Sequence, residues 1–291
     1  MRALLVHNED AGTDHVPRLE IEKVLQEAGI TPIYCKHGVD SLSDALSDTF
    51  DFVIAAGGDG TVAHVVSELD DIHVPIGILP LGGSNNIANA VGVDGDWRTI
   101  PRQWSLDRWT RLDRCEADGP WGHKKFVEGL GSGVLMEAFA EVDDAPQTPE
   151  EKQANGRAAF RRAIAGATPF NCRIEAAEWL WEGECLMVEV LNIQFVGSRL
   201  SFASGASPDD GLLDVVLITP ELRTSVLEWA LDPDASDCPV KSRQTSSVQM
   251  TVLERPFRVD DRSPNEYLAG TVRIFVRENP VKVLKPRELA Q

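Results

Sequence analysis

The chain has 291 residues, of which 43% are hydrophobic, and its formal net charge is −18. This length favours two domains over a single core. A polyanion would be repelled by this charge, so the composition argues against a nucleic-acid partner. No uncharged apolar run reaches about 18 residues, which argues against a helix that crosses a membrane. The five cysteines have no paired spacing, as is typical of proteins from a reducing cytoplasm.

Residues 1 to about 95 alternate between strand-like and helix-like segments. The apolar runs predict strands at residues 3–6, 30–35, 52–56 and 76–79. Apolar side chains at helical spacing predict helices at residues 16–28 and 42–46, with Gly29 ending the first of them. Strands that alternate with helices are typical of a parallel sheet covered by helices, so we predict a Rossmann-like α/β domain here.

Beyond residue 105 the apolar residues follow a period of two, at residues 191–195, 248–252 and 272–276. This pattern predicts antiparallel strands. A helical interlude is predicted at residues 134–165. We therefore expect a nucleotide-binding α/β domain over residues 1–120 and a mainly antiparallel, sandwich-like β domain over residues 121–291, with the C-terminal tail free to return to the first domain.

A glycine-rich loop follows the third predicted strand and precedes a helix-like segment. Glycines let backbone amides approach a phosphate closely, and a helix start offers unpaired N–H groups at the positive end of its dipole. Asp59 would repel a bare phosphate, so it either holds the loop through backbone N–H groups or takes part in a magnesium network. The loop consists of Gly57, Gly58, Asp59, Gly60 and Thr61.

A second glycine loop follows the fourth predicted strand and again precedes a helix-like segment, at residues 87–91. Loops at the carboxyl ends of neighbouring parallel strands face one crevice, which is the usual ligand position in open α/β sheets. The two loops together are more specific than either alone. The second loop contains Gly82, Gly83, Ser84, Asn85 and Asn86.

Three segments together resemble the diacylglycerol kinase catalytic-domain family, which includes bacterial lipid kinases and the sphingosine kinases. They are residues 57–61, residues 75–86, and the Asp-Gly-Leu-Leu-Asp run at residues 210–214. The resemblance covers nearly the whole chain. It implies transfer of the γ-phosphoryl group of ATP, with Mg²⁺, to a hydroxyl of a diacylglycerol- or sphingoid-like lipid, with nucleotide in a crevice between the two domains.

The resemblance also implies roles for single residues. Nucleotide contacts are expected from the two glycine loops, including Gly83, Ser84 and Asn85, and from Asn8 and Gly12 after the first strand. The ligands of a structural Mg²⁺ are expected to be Ser207, Asp210 and the backbone carbonyl of Leu212. Asp59 is expected to work in a magnesium network and Asp260 to orient the acceptor hydroxyl, with Asp261 as its base.

Two positions depart from the family. Asn86 stands where an aspartate is common, and Arg262 occupies the position of the usual proton-accepting glutamate. Two alternatives therefore stay open: an NAD-kinase-like phosphotransferase, which shares the Gly-Gly-Asp-Gly-Thr loop, and a nucleotide-binding homologue that has lost transfer. The expected partner is a lipid substrate in phospholipid biosynthesis. We expect a cytoplasmic protein, and leave open both a peripheral membrane contact and a homodimer.

Overall fold

The computed structural model describes residues 1–12, 15–69, 74–140, 148–260 and 269–287. The chain forms two compact units. The first consists of Met1–Leu112 with the chain from Pro280 onward, and the second contains most of the chain from Asp113 to Asn279. The division follows Leu112, before the predicted boundary at residue 120, and the C-terminal segment belongs to the first unit.

The strands and helices of the described residues are numbered in chain order. The strands are β1 (Arg2–His7), β2 (Thr31–Lys36), β3 (Phe52–Gly57), β4 (Ile76–Pro80), β5 (Trp109–Leu112), β6 (Cys115–Gly119), β7 (Gly122–Phe126), β8 (Gly129–Gly133), β9 (Phe170–Ala176), β10 (Leu180–Cys185), β11 (Met187–Leu191), β12 (Phe195–Val196), β13 (Leu200–Ser201), β14 (Leu213–Ile218), β15 (Arg243–Thr245), β16 (Ser247–Val252), β17 (Phe257–Val259), β18 (Gly270–Val276) and β19 (Val281–Leu284). The α-helices are α1 (Arg18–Glu27), α2 (Leu42–Ala45), α3 (Asp59–Glu68), α4 (Asn86–Ala90), α5 (Val134–Ala140), α6 (Pro149–Gly166) and α7 (Arg223–Trp229).

The first unit is built on a six-stranded sheet in the order β2-β1-β3-β4-β19-β5. The strands β2, β1, β3 and β4 are parallel, β19 pairs parallel to β4, and β5 pairs antiparallel to β19. All residues of β3 are buried, as expected of a strand inside a parallel sheet. The predicted Rossmann-like parallel domain is confirmed, and the chain adds β19 from its C-terminal end.

The second unit is a sandwich of two antiparallel sheets with a helical layer. One sheet has the order β10-β9-β16-β18-β6-β7 and the other has the order β15-β14-β11-β8-β17. Apolar side chains of both sheets form a shared core, and α5, α6 and α7 pack on the opposite face of the second sheet. The predicted antiparallel β domain is confirmed. No described helix combines the length and the apolar character needed to span a bilayer.

One predicted strand is wrong in its extent. The period of two at residues 191–195 predicts a continuous strand, but β11 ends at Leu191 and β12 begins at Phe195. The buried Asn192 bends the chain, because its backbone N–H donates to the Glu128 carbonyl and its side-chain amide donates to the Val127 carbonyl at 2.9 Å. A side chain that binds backbone groups competes with the regular ladder.

Candidate functional site

Three loops meet at the carboxyl edge of the first unit's sheet, where β1, β3 and β4 lie side by side. The Leu81 N–H donates to the Gly57 carbonyl at 3.0 Å, which joins the two glycine loops. A Cβ on Gly82 would lie 2.6 Å from the Gly58 Cα, so the backbones approach more closely than any other residue type allows. The two predicted glycine loops are therefore in direct contact.

The loop after β1 closes on the same place. Gly12 has φ +71°, and a Cβ there would collide with the Leu81 carbonyl oxygen. The loop is shaped by Asn8, whose backbone N–H donates to the Ala56 carbonyl at 2.9 Å and whose side-chain oxygen accepts the Asp10 N–H at 3.1 Å. The structure thus brings Asn8 and Gly12 to the edge that carries both glycine loops.

The helix α3 begins within the first glycine loop and leaves its first turn without a side-chain cap. Gly58 is the N-cap residue and offers no side chain, so the first N–H groups of the helix depend on other partners. Gly60 is exposed, and a Cβ there would meet no atom within 4 Å. An anion can reach this helix start, where the dipole favours negative charge. By contrast, the Thr61 hydroxyl is buried against Gly57.

Asp59 links the two glycine loops. Its carboxylate is nearly buried, and Oδ1 accepts the backbone N–H of Ile87 at 2.9 Å. Ile87 lies in the first turn of α4, so Asp59 caps the helix of the other loop with a charge of the favourable sign. Of the two roles that the sequence left open, the structure shows the backbone-binding one.

The second glycine loop is held by asparagine side chains. Asn85 adopts a left-handed backbone with φ 49°, and its amide oxygen accepts the Gly82 N–H at 2.9 Å. Its amide nitrogen donates to the Gly82 carbonyl at 2.7 Å, and Asn89 donates to the carbonyls of Ser84 and Asn85. Asn85 therefore engages both backbone polar groups of Gly82 and fixes the shape of the loop.

A polar cluster that sequence reasoning missed flanks the loop after β1. Glu9 accepts hydrogen bonds from the Lys36 ammonium and from the Tyr34 hydroxyl, at 3.3 Å for the latter. Burial, and then the Glu9 carboxylate, raise the pKa of Tyr34 to about 12. Burial lowers the pKa of His7, which is fully buried at the end of β1. Lys36 and Tyr34 belong to β2, so only the parallel register of β1 and β2 could have predicted their position.

The predicted metal loop lies in the second unit and is anchored by a residue that sequence reasoning missed. The buried Asp113 accepts the Gly211 N–H at 2.7 Å, and its own N–H donates to the Pro208 carbonyl. The Asp210 carboxylate accepts the Leu212 N–H at 2.9 Å. In the described residues, no three His, Cys, Asp or Glu side chains gather as a metal site. The predicted set of Ser207 hydroxyl, Asp210 carboxylate and Leu212 carbonyl consists of oxygens only, which fits Mg²⁺.

The Asp260 carboxylate binds backbone N–H groups. It follows β17 with φ 49°, and its carboxylate accepts the N–H groups of Val127, Glu128 and Gly129 at 2.8–3.4 Å. Its own N–H donates to the Gly129 carbonyl. The carboxylate that we expected to orient the acceptor is thus engaged in holding the connection between β7 and β8. Asp261 and Arg262 lie outside the described residues.

A fully buried ion pair supports this turn. Arg258 and Glu189 form two parallel hydrogen bonds, with Nε–Oε1 at 3.0 Å and Nη2–Oε2 at 2.6 Å. Both residues are in register with Gly131 of β8, and a Cβ at Gly131 would overlap the Glu189 carboxylate. Arg258 Nη1 also donates to the Asp260 carbonyl at 2.6 Å. Burial raises the pKa of Glu189, and the guanidinium opposes that rise.

Comparison with known proteins assigns the family. Residues 2–117 match the family model described as the diacylglycerol kinase catalytic domain, and residues 130–232 match the model described as the YegS C-terminal NAD kinase beta sandwich-like domain. Residues 2–117 therefore belong to the diacylglycerol kinase catalytic-domain family. The two matches follow the order of the two structural units and confirm the resemblance found in the sequence.

Curated relatives of this family member are named as lipid kinases. A "Probable lipid kinase YegS-like" of Stenotrophomonas maltophilia is 28% identical over 64% of the chain, and one of Pseudomonas aeruginosa PAO1 is 30% identical over 62%. The matched region spans 61% and 59% of those relatives' own lengths. The diacylglycerol kinase of Bacillus subtilis is 25% identical over 75% of the chain and 73% of its own length.

Solved structures show the same fold. A diacylglycerol kinase from Bacillus anthracis superposes with a TM-score of 0.74 at 20% identity, covering 98% of this chain and 96% of its own. An NAD kinase from Archaeoglobus fulgidus in complex with ATP gives a TM-score of 0.56 at 14% identity, covering 99% and 94%. At these identities the likeness concerns the fold alone, which diacylglycerol kinases and NAD kinases share.

The described structure groups the predicted site residues of this family member into separate sets. Asn8, Gly12 and the two glycine loops meet at one edge of the first unit's sheet. The predicted metal loop at residues 207–212 and Asp260 belong to the second unit. Within the second unit, Asp113 holds the backbone of the 207–212 loop and Asp260 holds the connection between β7 and β8.

Proposed function

We propose that this family member is an ATP-dependent lipid kinase that transfers the γ-phosphoryl group to a hydroxyl of a diacylglycerol- or sphingoid-like lipid. The meeting of three loops at the carboxyl edge of the first unit's sheet carries the proposal, because it creates the backbone surface that a nucleotide requires. The names of the curated relatives support a lipid as the acceptor.

The phosphates would be bound mostly by backbone. The chain has no Gly-x-x-x-x-Gly-Lys-Ser/Thr loop and therefore no lysine cradle. The uncapped start of α3 beside Gly60 offers N–H groups and a dipole end, and Gly12 and Gly82 keep the neighbouring backbone free of side chains. The Asp59 and Asn85 hydrogen bonds fix these loops, so that little ordering remains to be done when nucleotide binds.

Two places fit magnesium by the chemistry of their oxygens. Asp59 would contribute carboxylate oxygen beside the phosphate loops, and Ser207, Asp210 and the Leu212 carbonyl would hold a structural ion in the second unit. When bound near the phosphates, the ion would neutralise the charge that develops on the transferred group. Asp113 would position the second site by holding the backbone of Gly211.

The acceptor hydroxyl needs a group that orients or deprotonates it. Because the Asp260 carboxylate is occupied by three backbone N–H groups, we assign it the task of shaping the turn. The family's proton-accepting glutamate corresponds to Arg262 in this chain. We therefore propose the preceding residue, Asp261, as the proton acceptor. A positioned base of this kind typically contributes a factor of about 10²–10⁴ in rate.

A phosphorylation assay with purified protein and radiolabelled ATP tests the proposal. Diacylglycerol, sphingosine and NAD are offered in parallel at several magnesium concentrations. We expect magnesium-dependent labelling of a lipid and a large loss in Asp261→Asn, with Asp48→Asn, an exposed acid, as the matched control. Labelling of NAD alone would establish the NAD-kinase alternative, and ATP binding without any labelling would establish a homologue that has lost transfer.

A further inference from the structure

The outer edge of the first unit's sheet differs in charge from the rest of the chain. Residues 105–112 and 280–287 contain β5 and β19 with their flanks. These two segments, named the β5 edge below, hold five cations and one acid in a chain whose net charge is −18. The cations are Arg108, Arg111, Lys282, Lys285 and Arg287, and the acid is Asp107.

Three cations of the β5 edge are exposed, namely Arg111, Lys282 and Arg287, whereas Arg108 and Lys285 are half-buried. Arg111 and Lys282 are direct partners across the antiparallel pair, and both are exposed. The Lys282 ammonium lies 4.5 Å from the centre of the Trp109 ring. Trp109 and Leu106 are each 37% exposed. Within the described part of the chain, neither Arg111 nor Lys282 forms an ion pair with a carboxylate.

This arrangement costs stability unless something covers it. Like charges directly opposite each other on neighbouring strands are destabilising. Charged side chains on an edge strand do prevent unwanted strand pairing, which accounts for cations at Arg111 and Lys282. Prevention of strand pairing does not explain why the apolar side chains of Trp109 and Leu106 are also exposed at this edge.

We propose that the β5 edge docks on the surface of a bilayer that contains anionic phospholipid. Tryptophan prefers the membrane interface, and lysine and arginine stems cover apolar surface while their charged ends reach the headgroups. The β5 edge is basic in an acidic chain, so an anionic surface would attract it while repelling the chain's net charge of −18. The inference rests on the proposed function, since the acceptor of a lipid kinase resides in such a bilayer.

The β5 edge lies next to the second glycine loop within the same unit. β19 runs parallel to β4, so its carboxyl end and the following Lys285 point toward the edge that carries the loops. The Lys285 side chain reaches Gly92, just after α4. A Cβ placed on Gly92 would lie 3.4 Å from the Lys285 ammonium. Docking through the β5 edge would therefore hold the first unit's phosphate-binding loops close to the bilayer.

A second copy of the chain fits this edge poorly. β5 is the outermost strand of its sheet, and pairing two β5 strands would place the edge cations of both copies on one continuous sheet. An anionic surface instead neutralises Arg111 and Lys282 at once. Charge complementarity therefore favours the bilayer over self-association.

Sedimentation with phosphatidylcholine vesicles, with and without phosphatidylglycerol, tests the docking in the absence of ATP. The variant Arg111→Gln/Lys282→Gln should bind anionic vesicles roughly twenty-five-fold more weakly, since each cation removed costs about fivefold. The control Lys23→Gln/Lys152→Gln removes the same charge from two exposed helix positions and should bind almost as the wild type does. Trp109→Ala should weaken binding at both salt extremes, whereas the effect of the cations should vanish at high salt.

A second measurement separates docking from catalysis. With a short-chain diacylglycerol dispersed in detergent, the Arg111→Gln/Lys282→Gln variant should phosphorylate as the wild type does. Equal vesicle binding by this variant and its control would overturn the docking proposal, and so would tighter binding of the β5 edge to duplex DNA than to anionic vesicles. Intact vesicle binding without any lipid phosphorylation would overturn the proposed function and leave the docking surface standing.

Discussion

The two roles considered for Asp59 can be separated by substitution. Asp59→Ala removes the acceptor of the Ile87 N–H, which is buried at the start of α4. Leaving a buried donor unsatisfied costs about 1–3 kcal/mol, so we expect the free energy of unfolding to fall by that amount. Asp59→Asn keeps an oxygen of the same reach and loses only the charge, so we expect a loss of about 1 kcal/mol or less.

Urea unfolding followed by tryptophan fluorescence measures the stability of both variants, and ATP affinity is then titrated at several magnesium concentrations. If Asp59 binds magnesium as well as backbone, Asp59→Asn retains most of its stability but loses the magnesium dependence of ATP binding. We expect an affinity loss on the order of tenfold, which corresponds to about 1.4 kcal/mol.

Two results would refute this reasoning about Asp59. Equal stability of Asp59→Ala and the wild type would mean that the hydrogen bond to Ile87 does not hold the loops together. An unchanged magnesium dependence in Asp59→Asn would mean that the carboxylate acts through loop geometry alone. In that second case the magnesium near the phosphates must be held by other oxygens.

Three further predictions concern the clusters around the site. The raised pKa of about 12 means that the folded state favours the protonated Tyr34 phenol, so this contribution to stability is complete below pH 10 and is lost as the pH rises through 12. A pH titration followed by phenolate absorbance should show one tyrosine that ionises near pH 12, and Tyr34→Phe should abolish that step. Glu189→Gln should cost about 3–5 kcal/mol in urea unfolding, because the buried Arg258 charge loses its carboxylate partner. The double change to methionine at both positions should cost far less, and equal losses would contradict a buried pair. Asp113→Ala should abolish the rise in Tm that magnesium gives the wild type, and an unchanged rise would remove the metal from that loop.

The sequence predicted the glycine loops well because their information is local. A buried strand, two glycines and a helix start lie within a few residues of one another, and parallel strands end at a common edge. The contact between Gly58 and Gly82 then gives the physical reason for glycine at both positions. The side chains that fix the loops were harder to predict. The sequence predicted Asn85 as a ligand contact, and in the structure its side chain forms two hydrogen bonds with the Gly82 backbone.

The environment of Asp260 could not be predicted, because its partners are distant in the chain. Its carboxylate accepts the N–H groups of Val127, Glu128 and Gly129, which precede Asp260 by more than 130 positions in the chain. The ion pair of Arg258 and Glu189 has the same origin, since β11, β8 and β17 become neighbours only in the folded sheet. The residues around Gly131 in the sequence do not indicate this role, although only glycine leaves room for the Glu189 carboxylate beside it.

The two departures from the family, Asn86 and Arg262, are expected to reduce activity less than the loss of a catalytic residue usually does. Phosphoryl transfer passes through a loose transition state in most analyses, so positioning and charge neutralisation contribute most and deprotonation of the acceptor contributes less. If the proposed function holds, the positioning parts are in place, because Asp59 and Asn85 fix the two glycine loops and Asp260 fixes its own turn. On the proposed assignment, replacement of the family's glutamate by Arg262 would therefore put at risk only the part of the rate that a base supplies, a factor of about 10²–10⁴.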